Sequence, residues 1–313
     1  MAKKKKELPI FLLNGFLESG KTTLIKEICE NNPQYHDDTT LIVVCEEGEI
    51  EYEDSWKEKY KINVVNVDSE EELTPEYLES LDKEYAPDRI VIEYNSFFDW
   101  DKQEFPDYMV IYQQITLIDA STFKVMFNNM KKIFQKMVEY SSLIVFNRCD
   151  GIKELSQYRR WIRGMTQQAQ IAFEESNGQL TTRLDEDLPY DLSKDEIHFE
   201  EDIYPTWYVE VFDNYEKYFN KLWKFKCFVR DITENDTYVV GYDVMTCCSQ
   251  DIQFLGYEVI DESNTKLKIG DCIYIECYVK REYSKLAGEE VVMLHAKKIT
   301  VLPHETPKTL SLS

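Results

Sequence analysis

The stretch FLLNGFLESGKTTLIKEI, residues 11–28, decides the fold of the first part of the chain. It fits the pattern G-x-x-x-x-G-K-[ST], and an apolar strand precedes it while an amphipathic helix follows, which is the context of a phosphate-binding loop. The glycines let backbone N–H groups converge on phosphates, and the start of the helix adds a favourable dipole. The alternative is a tight turn with an exposed lysine. The predicted nucleotide-binding residues of this loop are Gly15, Glu18, Ser19, Gly20, Lys21, Thr22 and Thr23.

Lys21 and Thr22 have specific predicted roles in binding the phosphates and Mg²⁺, and a carboxylate is expected to complete the metal site. Lys21 can reach the β- and γ-phosphates, and the Thr22 hydroxyl can bind Mg²⁺. A nucleotide switch also needs a carboxylate after a later strand to hold the metal or a water molecule. RIVIEYNSFF, residues 89–98, supplies Glu93 at the end of an apolar strand. An ordinary carboxylate at a strand end is the alternative.

A third motif bears on the choice of base. LIVFNRCD, residues 143–150, ends a strand with Asn147, Arg148 and Asp150, a variant of N-K-x-D. Asp150 can accept two hydrogen bonds from guanine, a pair that adenine cannot supply. The motif therefore favours GTP over ATP. An ATP-dependent enzyme is the alternative hypothesis, and only the arginine at position 148 supports it.

The order of apolar and helical segments predicts two domains. In the first, apolar runs at residues 8–13, 41–45, 62–67, 89–93, 114–119 and 143–147 alternate with helical patterns at 21–30, 75–85, 121–140 and 153–165, and AQIAFEE closes the series. This alternation predicts an α/β P-loop NTPase domain with a mostly parallel sheet and helices on both faces. Five short strands from residue 223 onward predict a small all-β, OB-like barrel domain. The predicted limits are 1–178, an acidic linker at 179–203, and 204–313.

Composition limits the partners. The chain has 313 residues, with 36 basic and 59 acidic residues and a formal net charge of −23. This charge argues against nucleic acid or an anionic membrane surface as the main partner. No apolar run approaches the roughly 18–20 residues that span a bilayer, so no membrane span is predicted. Eight cysteines without a framework spacing, and no secretory signal, predict a cytoplasmic protein.

The motifs together resemble those of the CobW-like GTPases, relatives of the HypB and UreG metal-insertion proteins. GFLESGKTT looks like their phosphate loop, IEYNS is similar to their switch segment, and VVCEEGEIEYED resembles the segment after their second strand. The resemblance implies GTP or GDP with Mg²⁺, slow GTP hydrolysis, and metal handling or metallocofactor delivery to a client metalloprotein, with a homodimer as a candidate assembly. Two positions depart from the family: residues 63–75 contain no C-x-C-C motif, and Ser96 replaces the usual glycine.

The C-terminal part resembles a small uncharacterised bacterial β-domain. The likeness lies in the MTCC stretch, the GYE strand and the GD turn. Because that domain is known mainly from proteins paired with a predicted membrane permease, the resemblance implies a permease-associated protein as a candidate partner.

Cysteines are the remaining candidates for metal binding. Cys247 and Cys248 are adjacent, so on a regular strand their side chains point to opposite faces and both cannot readily bind one ion. A bulge would relax that objection, but a structural role is favoured. Cys45, next to Glu46 and close to Glu49, can contribute to a Zn²⁺ site, although a buried strand cysteine is the simpler interpretation.

Two functions follow from these residues. The first is hydrolysis of GTP to GDP and phosphate, with Lys21 stabilising charge and Glu93 or Glu46 positioning water or metal. The second is a GTP-dependent regulatory or adaptor switch with negligible hydrolysis, whose β-domain docks a partner protein. The acidic run at residues 46–54, to which Glu46 belongs, is otherwise a solvated, mobile loop.

Overall fold

A computed structural model describes residues 7–182, 184, 188–233, 237–245 and 252–311. The chain packs as two units, Met1–Leu155 with Thr166–Leu184, and Ser156–Met165 with Asp185–Ser313. The helical segment at 156–165 thus groups with the second unit, although its sequence position lies inside the predicted first domain. The domain limits at 178 and 203 stay predictions.

The first unit is built on an eight-stranded sheet with the order β3-β2-β4-β1-β5-β6-β7-β8. All neighbouring strands are parallel except β8, which runs antiparallel to β7. Its strands are β1 (Leu8–Asn14), β2 (Thr40–Val44), β3 (Ile62–Asn66), β4 (Arg89–Glu93), β5 (Met109–Asp119), β6 (Leu143–Asn147), β7 (Gln170–Glu174) and β8 (Leu180–Thr181).

Helices cover both faces of this sheet, which confirms the predicted fold class. Successive residues of a strand point to opposite faces, so Leu12 packs in one core cluster with Leu78, whereas Leu13 packs in another with Ile25. The helices are α1 (Lys21–Asn31), α2 (Gln34–Asp37), α3 (Asp54–Tyr60), α4 (Pro75–Tyr85) and α5 (Ala120–Glu139), with a short 3-10 helix at Trp100–Lys102. Among the described residues, no helix combines the length and the apolar character needed to cross a membrane.

Helix α4 illustrates how closely local sequence sets the boundaries of these elements. The Thr74 side chain accepts a hydrogen bond from the Tyr77 backbone N–H, and Pro75 occupies the first turn, where its missing N–H costs nothing. Leu78 and Leu81 face the sheet. The helix ends at Ala86, whose backbone is left-handed. The sequence prediction of residues 75–85 is therefore confirmed.

The second unit contains a closed barrel of five strands. Strand β10 pairs with β11, β11 with β12, β12 with β14, β14 with β13, and β13 with β10, so no edge is left open. Of these five barrel pairs, only β12–β14 is parallel. This topology confirms the predicted small barrel. The unit comprises α6 (Leu155–Arg163), β9 (Glu196–His198), α7 (Tyr204–Asn214), β10 (Leu222–Ile232), β11 (Tyr238–Met245), β12 (Ile252–Asp261), β13 (Cys272–Ser284), β14 (Glu289–Val301) and β15 (Leu310–Ser311), with 3-10 helices at Glu201–Ile203 and Tyr215–Tyr218.

Helix α7 is a feature that the sequence analysis missed. Its residues Tyr204, Trp207, Tyr208 and Val211 are buried, and their i, i+3, i+4, i+7 spacing is the signal that could have predicted it. The aromatic rings pack into the barrel core, with the Trp207 ring 4.8 Å from that of Phe225.

The polar face of α7 joins α6 through buried ion pairs. Arg159 Nη2 lies 2.6 Å from Glu210 Oε2, and Arg163 Nε lies 2.7 Å from Asp213 Oδ1. Burial raises the pKa of Asp213, an effect that the two arginines oppose. These pairs explain why the segment at 156–165 belongs to the second unit.

The predicted acidic linker contains two short strands. β8 extends the first sheet, and β9 pairs with the start of β10 in parallel. The segment at 179–203 therefore contributes backbone hydrogen bonds to each unit separately.

Candidate functional site

The glycine loop occupies residues 15–20, between the carboxyl end of β1 and the start of α1. In parallel α/β sheets this edge is where ligands bind. Gly15 has φ +146°, and a Cβ atom there would lie 2.5 Å from Ser19 Oγ and 2.6 Å from the Leu117 carbonyl oxygen. Gly20, which precedes the first turn of α1, has φ +98°. Both positions therefore require glycine, as the motif predicts.

Ser96 helps to hold the start of this loop. The Gly15 N–H lies 2.8 Å from Asn14 Oδ1 and 3.2 Å from Ser96 Oγ, and the Ser96 hydroxyl donates to Asn14 Oδ1 at 2.8 Å. The serine that replaces the family's usual glycine is thus part of a buried network beneath the loop. Its contacts tie the segment after β4 to the end of β1.

Lys21 is buried, and its ammonium group is bound at three points. Nζ donates to the carbonyl oxygens of Gly15 at 2.8 Å and Phe16 at 3.1 Å, and lies 2.9 Å from Glu46 Oε2. The alternative of an exposed lysine on a simple turn is therefore wrong. Glu46 therefore supplies a negatively charged partner for the buried Lys21 ammonium group.

Thr22 and Glu93 meet at the same edge of the sheet. The Thr22 hydroxyl donates to Glu93 Oε1 at 2.7 Å, and the Tyr52 hydroxyl donates to Glu93 Oε2 at 2.9 Å. Burial and the charge of Glu93 raise the pKa of Tyr52, so its hydroxyl remains a donor. The sequence analysis missed Tyr52, because no local sequence pattern indicates that this tyrosine contacts Glu93, which is 41 residues away.

The acidic run at residues 46–54 is attached to the first unit at several points. Besides the contacts of Glu46 and Tyr52, Lys26 of α1 pairs with Glu53 and donates to the Glu51 carbonyl oxygen at 3.3 Å. Asp54 begins helix α3. Glu46, Tyr52 and Glu53 therefore attach the run to α1 and to the end of β4. Residues 47–51 between these contacts are exposed, which agrees with the alternative of a solvated loop.

The N-R-C-D motif reaches the glycine loop from the other side. Asn147 Nδ2 donates to the Ser19 carbonyl oxygen at 2.6 Å, and Arg148 Nη1 donates to the Glu18 carbonyl oxygen at 3.0 Å. Arg148 also pairs with Asp119. These contacts bring the first and third motifs together.

Asp150 is exposed beside a second loop that the sequence analysis did not include. Its Oδ1 accepts a hydrogen bond from Ser176, which follows β7. Ser176 therefore orients the Asp150 carboxylate through Oδ1, and the other oxygen, Oδ2, takes no part in that hydrogen bond. The signal that could have found Ser176 is its place just after a strand of the same parallel sheet.

Two buried polar atoms lie within the motifs predicted to bind nucleotide. Among the described residues, Ser19 Oγ and Asn147 Oδ1 are buried without a hydrogen-bond partner. Unpaired buried polar atoms are rare and call for an explanation. Both belong to motifs predicted to bind nucleotide: Ser19 lies within the glycine loop, and Asn147 contacts the loop from the end of β6.

A small cavity opens between the loop and the acidic run, with a volume of about 150 Å³. The predicted residues Gly20, Lys21, Thr22, Thr23, Glu49 and Glu93 are among those that line it. The full set of lining residues is Leu17, Glu18, Gly20, Lys21, Thr22, Thr23, Gly48, Glu49, Ile50, Glu93 and Arg148.

Cysteine does not form a metal centre in the part of the chain that is described. No group of three or more His, Cys, Asp or Glu side chains there has the arrangement of a metal site. Burial raises the pKa of Cys45 to about 12, which disfavours the thiolate that Zn²⁺ requires. Cys247 and Cys248 lie outside the described residues, so their predicted structural role stays a prediction.

A glycine loop between a parallel strand and a helix, with a buried lysine and a threonine that meets a carboxylate, defines a P-loop nucleotide-binding protein. Residues 9–173 match the family model described as CobW/HypB/UreG, nucleotide-binding domain. This match covers more than half of the 313 residues, and the chain belongs to that family. Residues 175–309 match the DUF1980 C-terminal domain, which confirms the resemblance of the β-domain.

Solved structures with some similarity include two of the YjiA GTPase. The Zn(II)-bound enzyme from E. coli has 17% identity and a TM-score of 0.40, and a Zn(II)-bound triple mutant has 17% identity and a TM-score of 0.41. Each covers 75% of this chain and 85% of its own. The hydrogenase maturation factor HypB from Archaeoglobus fulgidus has 14% identity and a TM-score of 0.38, over 53% of this chain and 80% of its own. No curated protein matches the chain.

Proposed function

We propose that this protein binds GTP and GDP with Mg²⁺ and slowly hydrolyses GTP to GDP and phosphate. The observation that carries the proposal is the meeting of Lys21, Thr22 and Glu93 within one buried cluster at the carboxyl edge of the sheet. Family membership supports nucleotide binding. The hydrolytic reaction and the choice of metal belong to the proposal.

Each residue of the cluster has a chemical task. Lys21 would exchange its contact with Glu46 for the phosphates, and the loop N–H groups would hold the remaining phosphate oxygens. Thr22 and Glu93, with Glu46 released from Lys21, are the oxygen donors that would hold Mg²⁺, whose preferred ligands are hard oxygens. When bound, Mg²⁺ would neutralise charge on the β- and γ-phosphates.

The base would be selected by Asp150. Its exposed carboxylate can accept hydrogen bonds from both guanine nitrogens, and Ser176 orients it. Arg148 would lie beside the nucleotide, since it already contacts the backbone at Glu18.

A second candidate is a GTP-dependent switch with negligible hydrolysis. Ser96 favours this candidate. It lies in the segment that follows Glu93, and its hydroxyl oxygen accepts a hydrogen bond from the Gly15 N–H, which links that segment to the phosphate loop. In this version nucleotide binding would alter the position of the segment, and the β-domain would dock a partner.

Metal handling is a finer proposal within the first function. Membership of the CobW/HypB/UreG family, whose resemblance implies metal handling, supports it. The candidate partners are a client metalloprotein or a permease-associated protein, and the candidate assembly is a homodimer. The absence of C-x-C-C from residues 63–75 means that any delivered metal would be held by other residues.

Three measurements test the proposal. Single-turnover hydrolysis of GTP, with and without Mg²⁺ and with and without Zn²⁺, distinguishes a hydrolase from a switch. Competition of ATP and GTP for the site tests the base, and Asp150→Asn should weaken GTP binding while improving binding of xanthosine triphosphate, since the amide can donate to the 2-oxo group. Equal competition by ATP and GTP in the wild type would contradict guanine selection.

A further inference from the structure

The carboxylate of Glu93 is shared between two hydroxyl groups from different segments. Oε1 accepts from Thr22 on α1, and Oε2 accepts from Tyr52 in the acidic run. A hydroxyl has one proton and two lone pairs. Because the Thr22 proton is directed at Glu93, the Thr22 oxygen, which also lies within hydrogen-bond reach of the Tyr52 hydroxyl, keeps a lone pair for another ligand. In the proposed function that ligand is a divalent cation.

Tyr52 is itself held in place by aromatic packing. Its ring lies 5.6 Å from that of Trp56, the first buried residue of α3. The Trp56 indole N–H donates to Glu30 Oε1 of α1 at 2.9 Å, and Lys26 Nζ lies 5.6 Å from the Trp56 ring. Tyr52 therefore packs on Trp56, and Trp56 is attached to α1, the helix that carries Thr22. This packing holds the Tyr52 hydroxyl against Glu93.

We propose that Tyr52 is a positioning residue that acts through Glu93 on Thr22 and thereby sets the affinity of the nucleotide-bound site for Mg²⁺. The inference rests on the proposed function. Without the Tyr52 hydroxyl, one oxygen of Glu93 loses its donor and the carboxylate gains rotational freedom. The Thr22 hydroxyl then loses its fixed acceptor, and its lone pairs are no longer aimed in one direction.

The same contact also orders the acidic run. Tyr52 lies six residues from Glu46 in the sequence, and the two side chains attach opposite ends of the run to Glu93 and Lys21. Tyr52 thus keeps the run near the site when a nucleotide takes Lys21 away from Glu46.

The test uses Tyr52→Phe in the full chain, which removes one oxygen and keeps the ring on Trp56. The affinity for a labelled GDP analogue is measured at increasing Mg²⁺ concentrations. The quantity compared is the Mg²⁺ concentration that produces half of the full increase in affinity. We expect it to rise about tenfold, the effect of one hydrogen bond to a charged group. Affinity for the analogue in EDTA should stay within about twofold of wild type, because Lys21 and the loop N–H groups are unchanged.

Tyr60→Phe is the matched control. Tyr60 packs on the same Trp56 ring, with centroids 5.4 Å apart, and its hydroxyl faces Lys59. It should leave the Mg²⁺ requirement unchanged. Thermal unfolding of both variants checks that any change does not come from loss of structure.

A double-mutant cycle with Glu93→Gln separates positioning from a general structural role. If Tyr52 acts through Glu93, the two changes should be non-additive in their effect on Mg²⁺. Additive effects, a rise in the Mg²⁺ requirement below about threefold, or an equal loss of affinity in EDTA would each overturn the inference. A wild type whose nucleotide binding ignores Mg²⁺ would instead remove the proposed function, and the role of Tyr52 with it.

Discussion

The ion pair between Lys21 and Glu46 leads us to expect that removing a charged residue from the site increases, rather than decreases, its affinity for nucleotide. The two charged atoms lie 2.9 Å apart, with the Lys21 side chain 3% exposed and that of Glu46 12% exposed. A nucleotide phosphate must displace the carboxylate to reach Lys21. Glu46→Gln removes the negative charge and keeps the size of the side chain. We therefore expect the variant to bind nucleotide more tightly when no metal is present.

The size of the effect follows from the displaced contact. A hydrogen bond between charged groups contributes about 1.5–3 kcal/mol, and the partial exposure of Glu46 lowers this to about 1–2 kcal/mol. Because 1.4 kcal/mol corresponds to tenfold in affinity, the dissociation constant should fall by about 5- to 30-fold. With Mg²⁺ present the advantage should shrink, since the proposed role of Glu46 toward metal or water is lost.

The assay is a titration with a fluorescent GDP analogue in EDTA and again in excess Mg²⁺, with single-turnover GTP hydrolysis alongside. Glu47→Gln is the matched control, because it makes the same change of charge next door, at a side chain that accepts from Asn66 Nδ2 at 3.1 Å. Unchanged or weaker binding by Glu46→Gln in EDTA would refute the idea that Glu46 competes with phosphate.

Three further predictions concern the loop, the barrel and the buried ion pairs. Lys21→Ala should abolish binding of a labelled GDP analogue while circular dichroism stays native, and unchanged affinity would contradict the assignment of the phosphate loop. In the predicted structural role of Cys247 and Cys248, the double change Cys247→Ser and Cys248→Ser replaces a packed thiol by a hydroxyl without a partner, which should lower the free energy of unfolding by about 1–3 kcal/mol without altering metal content; loss of stoichiometric zinc would show that these cysteines are ligands. Glu210→Gln should destabilise the protein by about 3–5 kcal/mol in urea unfolding, because Arg159 and Arg160 would lose the buried carboxylate that they share, and Arg159 would keep only its longer contact with Asp213 at 3.8 Å. Glu216→Gln, at an exposed side chain, is the control and should change stability by less than about 0.5 kcal/mol; equal effects of the two would argue against the buried pair.

The elements of the first unit could largely be predicted from the sequence, because their signals are local. Lys21 and Thr22 follow Gly20, a residue type that tolerates the left-handed backbone which this position adopts. The strand at Arg89–Glu93 is recognisable from its run of consecutive apolar residues. Where the signal was absent or disguised, prediction failed. Helix α7 has a helical pattern of aromatic residues, but it lies beside strands of similar composition and was missed.

The sequence by itself determined that a phosphate loop, an acidic strand end and an N-R-C-D motif occur in the order of a nucleotide-binding sheet. Each depends on residues within a few positions of one another, and parallel strands bring their carboxyl ends to one edge. Only the tertiary structure decided what these motifs contact. Tyr52 and Glu93 are 41 residues apart, and Lys21 and Glu46 are 25 apart. Such pairs form because packing of α3 and the acidic run against α1 fixes their side chains, and no pattern of neighbouring residues records that packing.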